Sequence, residues 1–447
     1  MKRWLILVLM LLLFLDIKDI KWDIKNAQAV PLTRSLSLSD ALQPSLENHP
    51  AVVAASWKVK SAEQDVRFAV STAFPTIGLE GSYGGSYTEP STFIFNGNPV
   101  TAGTNDVLRN LRYGVTLQQT VWSGDRLGQG LKGAEENLAA SREDLKKAKL
   151  DVILQVTQSF YQLALARQMV HLYETTLAAN EEELWVIKAQ YEAHVVPKTD
   201  LLRSQIQAQN TRQSLRHAKR DEALAQRRLA NDLPDRDVSK ANLQMDPLSD
   251  SLSKMTSDPA LVHEMMRARP EWTGMAHQIE VAKATYAYAQ ADLGPLVRLS
   301  GNYYASRYDY PSFGYNQASW NATLGASWTL FNGFGSAAKA DAAKGRYEAL
   351  VESQEALRRN LEVELADAAL TLQQAQKDLE DAQNVVSLAR ENANQIRAMY
   401  RAHVKTHLDL MDAESTLLSS ETNRVAAEIS VRLAKARLDR TLGRFPL

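Results

Sequence analysis

Residues 400–414 read "YRAHVKTHLDLMDAE", and residues 191–205 read "YEAHVVPKTDLLRSQ". Tyr, Ala, His, Val, Asp and Leu return in the same order at a spacing of 209 residues, from Tyr191 to Tyr400. A phrase repeated over so long a distance marks duplication of a whole structural unit. Each copy stands between two segments of helical period, so it reads as the bend of a helical hairpin.

The duplication extends outward from the phrase. "ENHPAVVAA" (47–55) corresponds to "RARPEWTGM" (267–275), with Pro50 and Pro270 220 residues apart. "FPTIGLEGSYGGSY" (74–87) corresponds to "GPLVRLSGNYYASR" (294–307), and "VWSGDRLGQG" (121–130) to "LFNGFGSAAK" (330–339). The last match stands at an offset of 209, and the change falls in a loop, Thr88 to Leu111, longer than its counterpart around Pro311 to Ala318. Each copy therefore has one order. A helix comes first, Leu38 to about Ala73 or Pro259 to about Leu293. Two short strands follow. Next comes a long Ala/Leu/Gln/Glu-rich helix, about Gly124 to Tyr191 or Gly333 to Tyr400, then the bend and a return helix. The return helices run from about Thr199 to Asn231 and from about Thr406 to Leu442. A helix of ~70 residues is roughly 100 Å long, which suggests coiled-coil packing. The expected division is a signal peptide at 1–29, a first repeat at 30–231, an irregular connection at 232–258, a second repeat at 259–443 and a short tail at 444–447.

The strands alternate with period two. Ile77, Leu79 and Tyr83 oppose Thr76, Glu80 and Ser82; Tyr113, Val115 and Leu117 oppose Gly114, Thr116 and Gln118. Val297, Leu299 and Tyr303 oppose Arg298, Ser300 and Asn302; Trp320, Leu324 and Trp328 oppose Asn321, Gly325 and Thr329. A soluble sheet can show such alternation. Aromatic residues near strand ends, small polar partners and an export signal favour a membrane barrel, apolar outside and wet inside. Leu79, Tyr83, Leu117, Leu299, Tyr303, Leu324 and Trp328 are the expected lipid-facing residues. Four strands cannot close a barrel, so other copies of the chain must complete it.

Composition narrows the function classes. The 447 residues include 51 basic and 52 acidic ones, a balance without the basic field that nucleic-acid binding requires. No cysteine is present, which excludes disulfides and thiolate metal sites. Lys2 and Arg3 precede an apolar run, Trp4 to Leu15, and Ala27-Gln28-Ala29 offers a cleavage site. No catalytic triad, phosphate loop or zinc spacing stands out; "GDRLGQGLKG" (124–133) lacks the P-loop Gly-Lys-Ser/Thr. No enzyme activity, cofactor or metal site is expected.

With tandem halves, two strands and two long helices per half, "VILQVTQSFYQLALAR" (152–167), the turns "VWSGD" and "LFNGF", and Tyr-x₈-Asp-Leu at both bends, the sequence resembles the TolC-type outer-membrane efflux family. The resemblance implies a mainly helical fold with a small β part. It implies a homotrimer whose twelve strands form a transmembrane barrel and whose helices form a coiled-coil tunnel in the periplasm. It also implies an exit duct for a tripartite efflux or type I secretion system, served by an inner-membrane pump and a periplasmic adaptor. The missing lipobox Cys implies the non-lipidated branch. Asp409 and Asp412 take positions of acidic constriction rings, with Asp200 equivalent to Asp409. Tyr191, His194, Tyr400, His403 and Lys405 fall at the tip where the adaptor docks. The family usually has Gly where His194 and His403 stand; His407 lies nearby, and imidazoles beside carboxylates could respond to pH or metal, or simply serve as polar turn residues. Thr406 to Asp409 also approximates a capping box, so Asp409 has both readings open. The competing functional reading is a periplasmic coiled-coil scaffold with a soluble sheet.

Overall fold

The computed structural model describes residues 35–87, 89–102, 107–233, 242–245, 259–309 and 314–444. The expected signal peptide and most of the 232–258 connection lie outside these residues. The chain is mainly helical. In order it forms β1 (Ser35–Leu36), α1 (Leu38–Asn48), α2 (Pro50–Ser71), β2 (Thr76–Ser86), β3 (Ser91–Phe95), β4 (Asn98–Ala102), β5 (Leu108–Trp122), α3 (Arg126–Glu192) and α4 (Lys198–Asp232). Then follow β6 (Asn242–Leu243), α5 (Pro259–Ala268), α6 (Pro270–Ala291), β7 (Leu296–Asp309), β8 (Gly314–Ser327), α7 (Gly335–Arg401) and α8 (His407–Thr441).

The first helix expected in each copy is two helices. His49 and Arg269 leave the helical region (ψ 132° and 117°) because the following proline ring crowds their backbone. The expected loop at 88–111 carries a hairpin of its own. Asn96 and Gly97 at φ 50° and 79° turn β3 into β4, the Asn-Gly chemistry that a two-residue hairpin turn demands. The principal strands are also longer than expected, at 11, 15, 14 and 14 residues.

Local backbone chemistry repeats faithfully. Each strand pair feeds its long helix through two consecutive left-handed residues, Gly124 and Asp125 (φ 62° and 71°), then Gly333 and Phe334 (φ 67° and 63°). The helices α3 and α7 each run 67 residues, about 100 Å at 1.5 Å per residue. Each pairs with its return helix, α3 with α4 and α7 with α8, and α6 bridges α3 and α7. Two apolar clusters hold the helices together. Val156, Phe160, Leu163 and Leu229 centre one, with Ile429 of the second half entering it; Met265, Leu361, Leu365 and Leu438 centre the other. The buried positions along α7 (Leu361, Leu365, Ala368, Leu372, Ala375) recur three and four apart, the spacing of one helical face. Arg440 of α8 ties the halves by reaching Asp151, Glu271 and Glu364 at 2.7–3.0 Å.

The four long strands form one antiparallel sheet in the order β2-β5-β7-β8, leaving β2 and β8 as edges. No described helix is long and apolar enough to cross a membrane.

Candidate functional site

Both bends close by the same pair of bonds. The amide of His194 donates to the Tyr191 carbonyl and that of Val195 to Gln190; His403 donates to Tyr400 and Val404 to Met399, all at 2.8–2.9 Å. This is the Schellman pattern, which requires a left-handed residue just past the helix. His194 and His403 fill that position at φ 59° and 57°, where a glycine would carry no steric penalty. Both imidazoles are exposed, while Tyr191 and Tyr400 are half-buried against the hairpins.

The return helices start differently. In the second copy the Thr406 hydroxyl accepts from the Asp409 amide at 3.2 Å, and the Asp409 carboxylate accepts from the Thr406 amide at 2.9 Å and from its hydroxyl at 2.8 Å. Asp409 is thus the capping-box residue of α8, and the Thr406 amide, with its hydroxyl, holds its carboxyl below the usual carboxylate range. Lys405 approaches it at 3.7 Å. Asp412 is exposed one turn along. In the first copy Pro197 occupies the cap and offers no side-chain acceptor. Asp200 is drawn inward instead, 3.8 Å from Arg203 and facing Tyr400 and His407 of the second hairpin.

A buried polar junction between the hairpins escaped the sequence reading. His407 opens α8 and is 3% exposed. Its Nε2 lies 2.8 Å from Ser204 Oγ on α4, and its Nδ1 lies 3.3 Å from Glu183 Oε1 on α3. Neither Nδ1 nor Oε1 has a hydrogen-bond partner, so the two atoms are close but misaligned. Burial, and then the nearby Glu414 carboxylate, push the Glu183 carboxyl up to about 7. Burial depresses the basicity of His407. Burial likewise raises the Tyr400 phenol, with Glu183 and Asp200 adding to the effect. Only the bare presence of His407 near the bend was visible in sequence; Glu183 lies too far along the chain to have been paired with it.

At the other end of the long helices, strand register puts the alternation on one surface. Leu79 pairs with Val115, Val115 with Tyr303 and Tyr303 with Trp320; Leu117 meets Gly301, and Leu299 meets Leu324. A bulge between Thr120 and Trp122 keeps Trp122 on that face beside Val297. Leu79 is 82% and Leu324 67% exposed, and Tyr83, Leu299 and Tyr303 are exposed with them, while Leu117 is partly covered. Trp328 follows β8, which ends at Ser327; its indole donates to the Leu293 carbonyl at 2.9 Å, tying the strand end to the loop before β7. The opposite face is polar. There the Tyr304 ring covers Gly114, Arg112 stacks on that ring at 3.7 Å, and the Tyr304 hydroxyl reaches Glu80 at 3.4 Å. A side chain at 114 would collide with Tyr304, since a Cβ would lie 2.4 Å from its Cδ1.

No group of three or more His, Asp or Glu among the described residues is arranged to hold a metal. The long helices and one-sided sheet match known folds. The crystal structure of CusC superposes with a TM-score of 0.78 at 20% identity, covering 91% of this chain and 92% of that one. The outer-membrane channel OprN gives 0.76 at 21% identity, covering 91% and 90%. In sequence, the cation efflux system protein CusC of Escherichia coli K12 is 23% identical over 85% of this chain and 80% of its own length. The probable outer membrane lipoprotein SilC of Salmonella typhimurium is 20% identical over 91% and 85%. A family model described as outer membrane efflux protein matches residues 41–233 and 261–444, which take in both hairpins and all four long strands. The chain therefore belongs to the outer membrane efflux protein family, whose members are channels and not enzymes.

Proposed function

We propose that this protein is the outer-membrane exit duct of a tripartite efflux system, acting as a homotrimer. The observation that carries the reading is the sheet: four strands with one continuous apolar face, open at both edges, at the end of helices about 100 Å long. An open edge in lipid leaves backbone N–H and C=O groups unpaired, so such a sheet is stable in a bilayer only when other copies cover β2 and β8. Three copies give a barrel of twelve strands, with the Glu80–Tyr304–Arg112 face turned to water and the helices extending into the periplasm. The bends then lie at the inner mouth, where a periplasmic adaptor and an inner-membrane pump would engage Tyr191, His194, Tyr400, His403 and Lys405. Three-fold symmetry there would gather Asp409 and Asp412 into six carboxylates, an arrangement that favours cations over anions. CusC is named for cation efflux, which agrees with that preference. Residues 1–29 serve as the export signal, and type I secretion is the other transport role compatible with the duct.

The test is direct. The protein should fractionate with outer membranes, migrate as a trimer that heating dissociates, and conduct ions when reconstituted in planar bilayers. A monomer recovered from the soluble periplasm would sink the duct and restore the scaffold reading.

A further inference from the structure

The two copies also diverge where the hairpins meet. Glu183, Ser204 and His407 stand where the other copy has Asn392, Ala413 and Lys198, each 209 residues away. The three meet where the two hairpins touch near their bends: Glu183 on α3 and Ser204 on α4, against His407 on α8. The charged and titratable groups facing them come from every neighbouring helix. Asp200 and Arg203 approach from α4, Tyr400 and Arg397 from α7, and Glu414 from α8. Arg397 is already engaged by Glu414 at 2.9 Å, and Arg203 lies 3.8 Å from Asp200. Glu183 is left with a like charge nearby, a committed guanidinium and an imidazole 3.3 Å away.

We propose that a proton on the Glu183 carboxyl, set against His407, latches the second hairpin's tip onto the first, and that its loss lets the tips part. When the proton leaves for solvent, a largely buried carboxylate remains beside Glu414 and an uncharged imidazole. Its covered Oε1 regains full hydration when α8 moves away from α3. The direction in pH follows from both groups. Glu183 is raised from 4.5 to about 7, so its contribution to closure is complete below 4.5 and lost as pH rises through 7. His407 is depressed from 6.5, so its contribution is lost only as pH falls below that value. Closure is therefore tightest in mildly acid solution. With limits of 4.5 and about 7, Glu183 by itself raises the opening equilibrium about tenfold from pH 6 to pH 8, and His407, acting the other way near pH 6, makes the net rise smaller.

The mechanical consequence for transport rests on the duct reading, but the latch can be judged separately. The chain has no cysteine, so single thiols report cleanly. Ala413→Cys places one at a buried position on α8, next to Glu414 in the chain, and Ala402→Cys one at the exposed bend. In reconstituted full-length protein, the ratio of maleimide labelling rates, 413 over 402, should rise between pH 6 and pH 8, by at most about tenfold. Glu183→Gln should abolish the rise, and Glu183→Asp should retain it. A flat ratio in the parent, or an undiminished rise in Glu183→Gln, overturns the latch. Trimers that conduct at no pH overturn the duct reading on which its transport role rests.

Discussion

Val115 lies at the centre of β5, flanked across the sheet by Leu79 and Tyr303 on the apolar face, and is 40% exposed in the isolated chain. The strand has 15 residues, about 50 Å of chain at ~3.4 Å each, and a tilt of ~45° turns this into a rise of roughly 36 Å. That height spans a hydrocarbon core of about 30 Å and puts Val115 near its midplane. Val115→Arg should then cost about 2–4 kcal/mol per chain, the penalty for a lipid-facing Arg at that depth. The corresponding fall in the folded-to-unfolded ratio is roughly 30- to 700-fold. Asn321→Arg is the matched control, because Asn321 faces the polar side opposite Asn302 in the middle of β8. Equilibrium refolding from urea into phospholipid vesicles, followed by the heat-labile trimer band, measures both. If Val115→Arg costs no more than Asn321→Arg, the apolar face does not meet lipid and the barrel argument is wrong.

Thr406→Ala removes the cap of α8 and should lower stability by about 1 kcal/mol, read as a shift of the urea midpoint. Asp412→Asn should leave that midpoint unchanged and reduce cation preference in reversal-potential measurements; unaltered selectivity would remove Asp412 from the channel mouth. Gly114→Ala should sharply reduce trimer yield, because its Cβ would lie 2.3 Å from the Tyr303 carbonyl oxygen. Gly325→Ala, with nothing within 4 Å of its Cβ, should assemble normally, and equal yields would mean that the Tyr304 stack can simply yield.

The parts legible in the sequence are those written in local chemistry. Period-two alternation in residues 76–83 and 297–303 located strands, and the repeated bend phrase located both Schellman turns. Two local signals were present and passed over. Pro50 and Pro270 broke the leading helices, and Asn96-Gly97 built a hairpin inside the supposed loop. The Asp409 ambiguity persisted for a physical reason: a carboxylate at the third helical position is equally apt for capping, and only coordinates show the Thr406 bonds. Glu183 was invisible in a stronger sense. One acidic residue on a long charged helix looks like solvated surface, and only the approach of α8 from the other half buries it beside His407.

Both bends turn on main-chain bonds, the same pair of amide-to-carbonyl links in each half. Architecture at these corners therefore places almost no demand on side-chain identity beyond tolerance of a left-handed backbone. Natural selection can rewrite the residues flanking one corner as chemistry while its twin goes on supplying plain geometry. Lys198, exposed in one half, and His407, enclosed in the other, are two outcomes of that freedom.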